Sequence, residues 1–307
     1  MKSGFVGIIG RPNVGKSTLI NSIIGRKVAI TSNKPQTTRN IIQGIYNEGK
    51  VQIVFVDTPG IHKPINKLGK TLNKQAYYSI DDTDIILFLV DAYEGLGKGD
   101  VYILEKLKKI DKPVILVINK IDKITHEEIL KRITDYKDLY DFDEIIPVSS
   151  LTKNNIDDLI NTLKKYLPDS VRYYGEDSIT NKSIDFLMSE IVREKVFNFT
   201  EEEVPHSITC VTDSVEVGKT SYNIRISIIV DRDSLKKIII GKQGEMIKKI
   251  GIESRKDIEK LLNKNVYLEL FVKTVKKWRE KEKYLNEFGF NDFENWWIKK
   301  INIPIMK

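Results

Sequence analysis

The chain has 307 residues, 41% hydrophobic and 30% charged, with 50 Lys and Arg against 43 Asp and Glu for a formal charge of +7. That length suits roughly two domains, and no apolar run approaches the roughly 20 residues that a membrane-crossing helix needs. Cys210 is the only cysteine and is expected as a small core residue, which excludes a disulfide framework and a cysteine metal site; with no secretory signal in MKSGFVGIIGRP, the expectation is a reducing cytoplasm.

Short β-branched runs at 5–9 (FVGII), 51–56 (VQIVFV), 85–90 (IILFLV), 114–118 (VILVI) and 145–148 (IIPV) predict strands. Helical periodicity falls between several of them, as at 99–110 and 155–167. Strands that are apolar on both faces and alternate with helices predict an α/β domain over residues 1–167, its mainly parallel sheet covered on both sides. Ligands of such sheets bind at the carboxyl ends of the strands.

The first strand leads into GRPNVGKS, that is Gly10, Arg11, Pro12, Asn13, Val14, Gly15, Lys16 and Ser17, with Thr18 behind it. This fits G-x-x-x-x-G-K-[ST] between a strand and a helix. Gly10 and Gly15 let the chain curl so that successive N–H groups face phosphates, and the helix dipole adds positive potential. Lys16 would reach the β- and γ-phosphates, and the Ser17 hydroxyl would bind Mg²⁺.

DTPG (Asp57, Thr58, Pro59, Gly60) closes the strand at 51–56. Asp57 can hold the Mg²⁺ through water, and the Gly60 N–H can sense a γ-phosphate. NKID follows the strand at 114–118 and selects the base. The Asp122 carboxylate only accepts hydrogen bonds, so it pairs with the N1–H and amino donors of guanine, whereas adenine would present a lone pair. Asn119 braces the loop and Lys120 covers the sugar and base. At the end of the strand at 145–148, VSSL brings Ser149, Ser150 and Leu151, where a backbone N–H near Ser150 can bind guanine O6.

In this order, and at these strand ends, the four elements resemble the GTP-binding domain of small GTPases, which implies GTP or GDP with Mg²⁺. QTTRN at 36–40 resembles the Thr-Thr-Arg segment of Era-type GTPases, and by that resemblance Thr38 joins Ser17 and Asp57 around the metal. The Ras-type pattern has a water-orienting Gln after the D-x-x-G glycine. Here the residue is Ile61, as in the branch of GTPases that includes the Era type. In relatives within that branch the phosphate-loop Asn binds a monovalent cation such as K⁺, and Asn13 holds that position. Bracing of the switch segment by Asn13 is an equal alternative. The catalytic set is then Lys16, Thr38, Gly60 and Asn13, with slow intrinsic turnover expected.

Residues 168–182 (PDSVRYYGEDSITNK) break the pattern with Pro, Gly, Ser and charge, and read as a linker. Beyond it, 183–199 reads as a helix, 206–215 and 221–231 as strands joined by a VGKT turn, and 266–273 as a further strand. Strand and helix no longer alternate, which predicts an α+β domain with an antiparallel or mixed sheet. GKQG (Gly241, Lys242, Gln243, Gly244) lies between two helices. It lacks the GK[ST] end of a phosphate loop but fits G-x-x-G. From Lys236 to Lys283 there are 15 Lys and Arg against 7 Asp and Glu, so the basic excess of the whole chain sits here, a field suited to a polyanion.

The order helix–strand–strand–helix–GxxG–helix–strand–helix over 183–290 resembles a type II KH domain, with VKTVKKWREKEKYL (272–285) as its basic terminal helix. In KH domains the glycine loop lets a single strand of about four nucleotides approach closely. Lys237, Lys242, Lys248 and Lys249 are the expected phosphate contacts, followed by Lys276, Lys277 and Arg279.

A GTPase domain with a Thr-Thr-Arg switch, followed by a KH domain, resembles the Era family, GTPases associated with assembly of the small ribosomal subunit. The resemblance covers residues 1–290. It implies the 3′ region of small-subunit ribosomal RNA and the 30S subunit as partners, a cytoplasmic monomer, and some peripheral association with the inner face of the cell membrane. Residues 291–307 (NDFENWWIKKINIPIMK) run past the expected end, and their aromatic and isoleucine side chains suit packing on the KH domain or another chain, base stacking, or a membrane surface. Two rival readings stay open: an RNA-binding scaffold with a structural nucleotide, and a membrane-surface GTPase.

Overall fold

The five β-branched runs and one further strand form a six-stranded sheet whose strand ends carry the motifs. A computed structural model describes residues 1–32, 34, 37–57, 66–201 and 204–290, with the main chain alone at 76–80. The described residues divide into two units, one built on residues up to 57 and on 73–181, the other on 66–72 and 182–290. Thr58, Pro59, Gly60, Ile61 and residues 291–307 lie outside the described residues.

In the first unit, β1 (Lys2–Ile9), β2 (Ile42–Glu48), β3 (Val51–Asp57), β4 (Ile85–Asp91), β5 (Val114–Asn119) and β6 (Glu144–Pro147) lie in the order β2-β3-β1-β4-β5-β6. All neighbours are parallel except the β2–β3 hairpin. β2 (IQGIYNE) alternates poorly, which is why the hydrophobic pattern alone gives no strand there; Gly49 at φ +54 turns the chain into β3. The expected α/β class and mainly parallel sheet are what the chain adopts.

Helices cover both faces. α1 (Lys16–Ile24) and α5 (Ile156–Tyr166) bring Leu19, Ile20, Leu159 and Leu163 against Ile8, Phe55, Leu87 and Ile115. α3 (Lys98–Leu107) and α4 (His126–Lys137) bring Ile103, Leu104 and Tyr136 against Phe88, Val90 and Leu116. α4 starts at a capping box in which Thr125 and Glu128 satisfy each other's N–H groups. α2 (Lys67–Asp81) precedes β4.

Of residues 168–182, expected as a linker, 168–181 are bound to the first unit along its sheet. Ser3 Oγ donates to Val171 O, Ile45 N donates to Ile179 O, and Gly44 bridges to Thr180. Gln52, fully buried, is saturated mainly by the strap: its Oε1 accepts from Tyr173 N and Tyr174 N, its Nε2 donates to Tyr174 O, and the fourth bond goes from Nε2 to Asn47 Oδ1 in β2.

The second unit is α+β. β7 (Ile208–Val217) and β8 (Ser221–Val230) are antiparallel, and β9 (Asn265–Thr274) pairs parallel to β8, so the sheet is mixed, as expected. α6 (Ile184–Phe199), α7 (Asp233–Ile240) and α8 (Glu245–Leu262) pack on it through Met188, Val192, Ile239, Ile250 and Ile258. Cys210 is buried there. The basic helix expected over 272–285 is corrected. Residues 272–274 complete β9, paired to β8 as far as Val230–Thr274, and Lys277 at φ +55 breaks any helix before Trp278. Only Glu282–Glu287 (α9) is α-helical. Trp278, Ile229, Leu285 and Phe290 form a second cluster with Leu68 and Leu72. Among the described residues no helix is long and apolar enough to cross a membrane.

Candidate functional site

The phosphate loop leaves β1 at Gly10, where a Cβ would lie 2.3 Å from Leu89 O, and turns through left-handed backbone at Asn13 (φ +65) and Gly15 (φ +105) before α1. Val14 anchors it in the core. Lys16 Nζ donates to the carbonyls of Gly10 (3.0 Å) and Arg11 (2.9 Å), so the loop's own main chain aims the ammonium. Burial pushes the Lys16 pKa down to about 8, opposed by Asp57. Phosphate oxygens around a lysine so desolvated would favour its charged form.

Three side-chain oxygens converge where a metal is expected. Ser17 Oγ donates to Asp57 Oδ2 (2.7 Å), and Thr38 Oγ1 lies 3.1 Å from Ser17 Oγ and 3.2 Å from Asp57 Oδ2. Thr38 and Asp57 are buried, and burial raises the Asp57 pKa, with Lys16, Ser17 and Thr38 pulling it back. Asp57 Oδ1 is buried without a hydrogen-bond partner among the described residues. An orphaned carboxylate oxygen beside two hydroxyls, all hard oxygen donors, fits Mg²⁺.

The base motif is tied to the phosphate loop. Asn119 Nδ2 donates to Val14 O (2.8 Å), while its Oδ1 accepts from Ser150 N and Ser150 Oγ. Lys120 Nζ donates to Asn13 O (2.7 Å) and to Asp91, a carboxylate at the end of β4. Ser149 Oγ donates to Asp122 Oδ1, fixing the carboxylate expected to read guanine. Ser150 N is engaged by Asn119, and Leu151 beside it is 75% exposed. Gly10, Val14, Gly15, Lys16, Ser17, Thr38, Asp57, Asn119 and Lys120 are thus joined through bonds or close approach, with Asp122, Ser149 and Ser150 continuing the chain of contacts.

Arg11 keeps its main chain in the phosphate loop, while its side chain is engaged elsewhere. Its guanidinium turns to the start of α3 and the loop before it: Nε donates to Asp100 Oδ1 (2.9 Å) in the first turn of α3, and Nη2 donates to Gly95 O (2.8 Å) in the loop. Asp100, Asp91 and Tyr136 belong to no motif, and sequence reasoning missed them. The signal available was DAYEGLGKGD itself, a glycine-rich loop directly after a strand end. Asn21 was missed likewise: its Oδ1 accepts from Val28 N and Ala29 N and its Nδ2 donates to Ala29 O, fixing the chain that leads towards Thr38.

The second glycine loop closes α7. Gly241 stands at φ +74, ψ 177, and Gly244 at φ +80, with Gln243 also left-handed at φ +52. Gly241 N–H caps Lys237 O (2.9 Å). Lys237, Lys242, Lys248 and Lys249 are exposed around it, and Lys249 Nζ lies 4.3 Å from the centre of the Phe199 ring. Lys276 and Lys277 are exposed on the segment after β9. Arg279 is engaged within the fold, paired with Asp231 and donating to His206 O, so it sits apart from the expected phosphate contacts.

A family model described as 50S ribosome-binding GTPase matches residues 5–120, and a KH-domain model matches residues 203–279. Among solved structures, a single-residue variant of Era from Aquifex aeolicus, bound to GDP·AlF₄⁻, is 43% identical over 94% of this chain and 99% of its own, with a TM-score of 0.91. The same identity, coverage and TM-score hold for a structure of Era in complex with MgGDPNP and nucleotides 1506–1542 of 16S ribosomal RNA. At that identity across both units, the chain belongs to the Era family of GTPases.

Proposed function

We propose that the chain hydrolyses GTP to GDP and phosphate, and that the nucleotide state sets how its KH domain binds small-subunit ribosomal RNA. The observation that carries this is the coexistence of two glycine loops of different design. The first encloses a buried lysine beside an oxygen triad, and the second is ringed by exposed lysines. The relatives' structures hold GDP·AlF₄⁻ in one case, and MgGDPNP with 16S ribosomal RNA in the other.

For hydrolysis, water attacks the γ-phosphorus as the bond to the β-phosphate oxygen breaks, and GDP leaves with the electron pair. Lys16 and the loop N–H groups stabilise the charge that develops on the phosphate oxygens. Ser17, Thr38 and Asp57 supply the oxygens for Mg²⁺, which when bound neutralises charge shared between the β- and γ-phosphates. Asp122, held by Ser149, selects guanine. With Ile61 where a water-orienting Gln would stand, intrinsic turnover is slow. A K⁺ ion at Asn13 belongs to the same proposal, read as faster hydrolysis in K⁺ than in Na⁺.

The biological setting extends the proposal: a monomer in the cytoplasm, acting in 30S assembly at the 3′ region of the ribosomal RNA, with peripheral contact at the inner membrane face. The test is the affinity of a short single-stranded RNA of that region, at fixed salt, for protein loaded with GDP or a non-hydrolysable GTP analogue. A tenfold or larger difference, about 1.4 kcal/mol of coupling, supports the switch. Equal affinities favour the scaffold reading, in which the nucleotide is structural.

A further inference from the structure

The Arg11 side chain lies in a groove made by Gly95 and Gly97 of the β4–α3 loop and by Gly99 in the first turn of α3. A Cβ at Gly97 would come within 2.7 Å of Arg11 Nη1, and one at Gly99 within 2.8 Å of Arg11 Cδ. Gly95 presents its carbonyl to Nη2. At the floor of the groove Asp100 is fully buried and takes four contacts. Its Oδ1 and Oδ2 each lie 2.9 Å from Arg11 Nε, and its Oδ2 accepts from Gly97 N (2.9 Å) and from the buried Tyr136 hydroxyl (3.2 Å). Glu94, at the rim, lies 3.6 Å from Nη1. The guanidinium, on a side chain only 21% exposed, is therefore neutralised by Asp100 and Glu94.

This matters because of what the Arg11 main chain does. Its carbonyl, with that of Gly10, receives Lys16 Nζ. The same loop reaches the base motif, since Asp91 at its start takes Lys120 Nζ and accepts from Tyr93 N and Glu94 N. We infer that Arg11 and Asp100 form a clamp that positions the phosphate loop: Asp100 fixes the Arg11 side chain, Arg11 fixes its own peptide, and that peptide aims Lys16. Arg11 is a positioning residue whose side chain is committed to Asp100 and Gly95. The inference rests on the guanine-nucleotide site and is independent of the RNA reading.

The physical requirement is preorganisation. A loop held in its binding shape loses less freedom on meeting the ligand, so affinity rises without a new contact. The clamp acts on ground state and transition state alike, which shifts KM more than kcat.

The experiment uses the full-length chain and measures the GDP dissociation constant, kcat and KM for GTP, and thermal unfolding. The variants are Arg11→Ala, Arg11→Lys, Asp100→Asn, and the double variant Arg11→Ala/Asp100→Asn. Loss of one charge-assisted hydrogen-bonded pair is expected to weaken GDP by about tenfold or more in Arg11→Ala and in Asp100→Asn. KM rises while kcat stays within about threefold. The double variant is no weaker than the weaker single, because both remove one device. Arg11→Lys, which keeps a charge near Asp100 but loses the fork that also reaches Gly95, falls between wild type and Arg11→Ala.

A lower unfolding temperature with GDP affinity unchanged in the folded protein overturns the clamp and leaves a structural ion pair. Additive losses in the double variant overturn it as well. If Arg11→Ala does not fold, Arg11→Lys and Asp100→Asn decide, and affinities within about twofold of wild type in both refute it.

Discussion

A Cβ placed on Gly15 would lie 2.3 Å from Nδ2 of Asn119, which itself donates to Val14 O at 2.8 Å. The two motifs that hold phosphate and base are thus in van der Waals contact although Val14 and Asn119 stand 105 positions apart, and the contact is possible because Gly15 has no side chain. Gly15→Ala adds two penalties: the methyl displaces Asn119 from Val14 and Ser150, and φ +105 is a conformation that L-residues rarely adopt. Strain of about 1–3 kcal/mol at such a residue converts to a loss of GDP affinity of about tenfold or more. Titration of labelled GDP into the folded variant checks it. Affinity equal to wild type would show that Asn119 yields without consequence.

Lys16 gives the nucleotide site a pH dependence. Burial brings its pKa from the ordinary 10.5 down to about 8, and phosphate favours its charged form. Binding therefore takes up a proton wherever the lysine is neutral beforehand. GDP affinity is expected to be level below about pH 7 and to fall as pH rises through 8, by at most about tenfold per unit. Without nucleotide, the lysine's contribution to folding stability falls as pH drops from 10.5 towards 8, because the unfolded chain takes up the proton first. Calorimetric titration of GDP at pH 7, 8 and 9, in buffers of different ionisation heat, reads the proton directly. Lys16→Arg stays charged and flattens the profile.

Much of the nucleotide site was legible because each motif is contiguous and sits at a strand end. Gly10 to Ser17, Asp57, Asn119 to Asp122, and Ser149 with Ser150 could be placed from strand–loop patterns alone. Asp100 could not, because its meaning depends on Arg11, 89 positions away, and nothing in an Asp near a helix start distinguishes a clamp from a cap. Gln43 and Gln52 are fully buried amides in strands, and most of their side-chain partners, on Tyr173 and Tyr174, lie on a segment whose Gly, Ser and charge read as linker. The terminal helix was misjudged because its first residues, Val272 to Thr274, are β-branched or strand-compatible and have Ile228, Ile229 and Val230 waiting beside them. Tertiary pairing there overrides the basic helical look of residues 275–285.

The strap over the first unit has its own test. Gln52 is fully buried and makes four hydrogen bonds, two of them accepted from consecutive N–H groups of Tyr173 and Tyr174. Gln52→Leu keeps the volume and leaves those two N–H groups without their partner. At about 1–3 kcal/mol for each buried unsatisfied group, the first unit should lose roughly 3 kcal/mol. Thermal unfolding of the full chain with saturating GDP should show an earlier transition. An unchanged transition would mean that residues 168–181 detach at little cost, as a true linker would.

The RNA side can be separated from the nucleotide side at Gly241. Its φ +74, ψ 177 is open to glycine almost alone, and a Cβ there would meet Met246 Cβ at 2.7 Å. Gly241→Ala therefore moves the GKQG turn, and Gly241→Asp adds a negative charge to a lysine-rich surface. Both should lower affinity for single-stranded RNA by about tenfold or more while leaving the GDP dissociation constant unchanged. The lysines around the turn predict a further distinction. Lys242→Ala and Lys248→Ala remove exposed charges, so each should reduce the slope of log affinity against log salt by about 0.7, the value for one phosphate contact on a single strand. Arg279→Ala instead breaks the pair with Asp231 and the bond to His206 O, so it should lower thermal stability and leave the salt slope as it is. A salt slope reduced by Arg279→Ala as much as by Lys242→Ala would return Arg279 to the phosphate-contacting set.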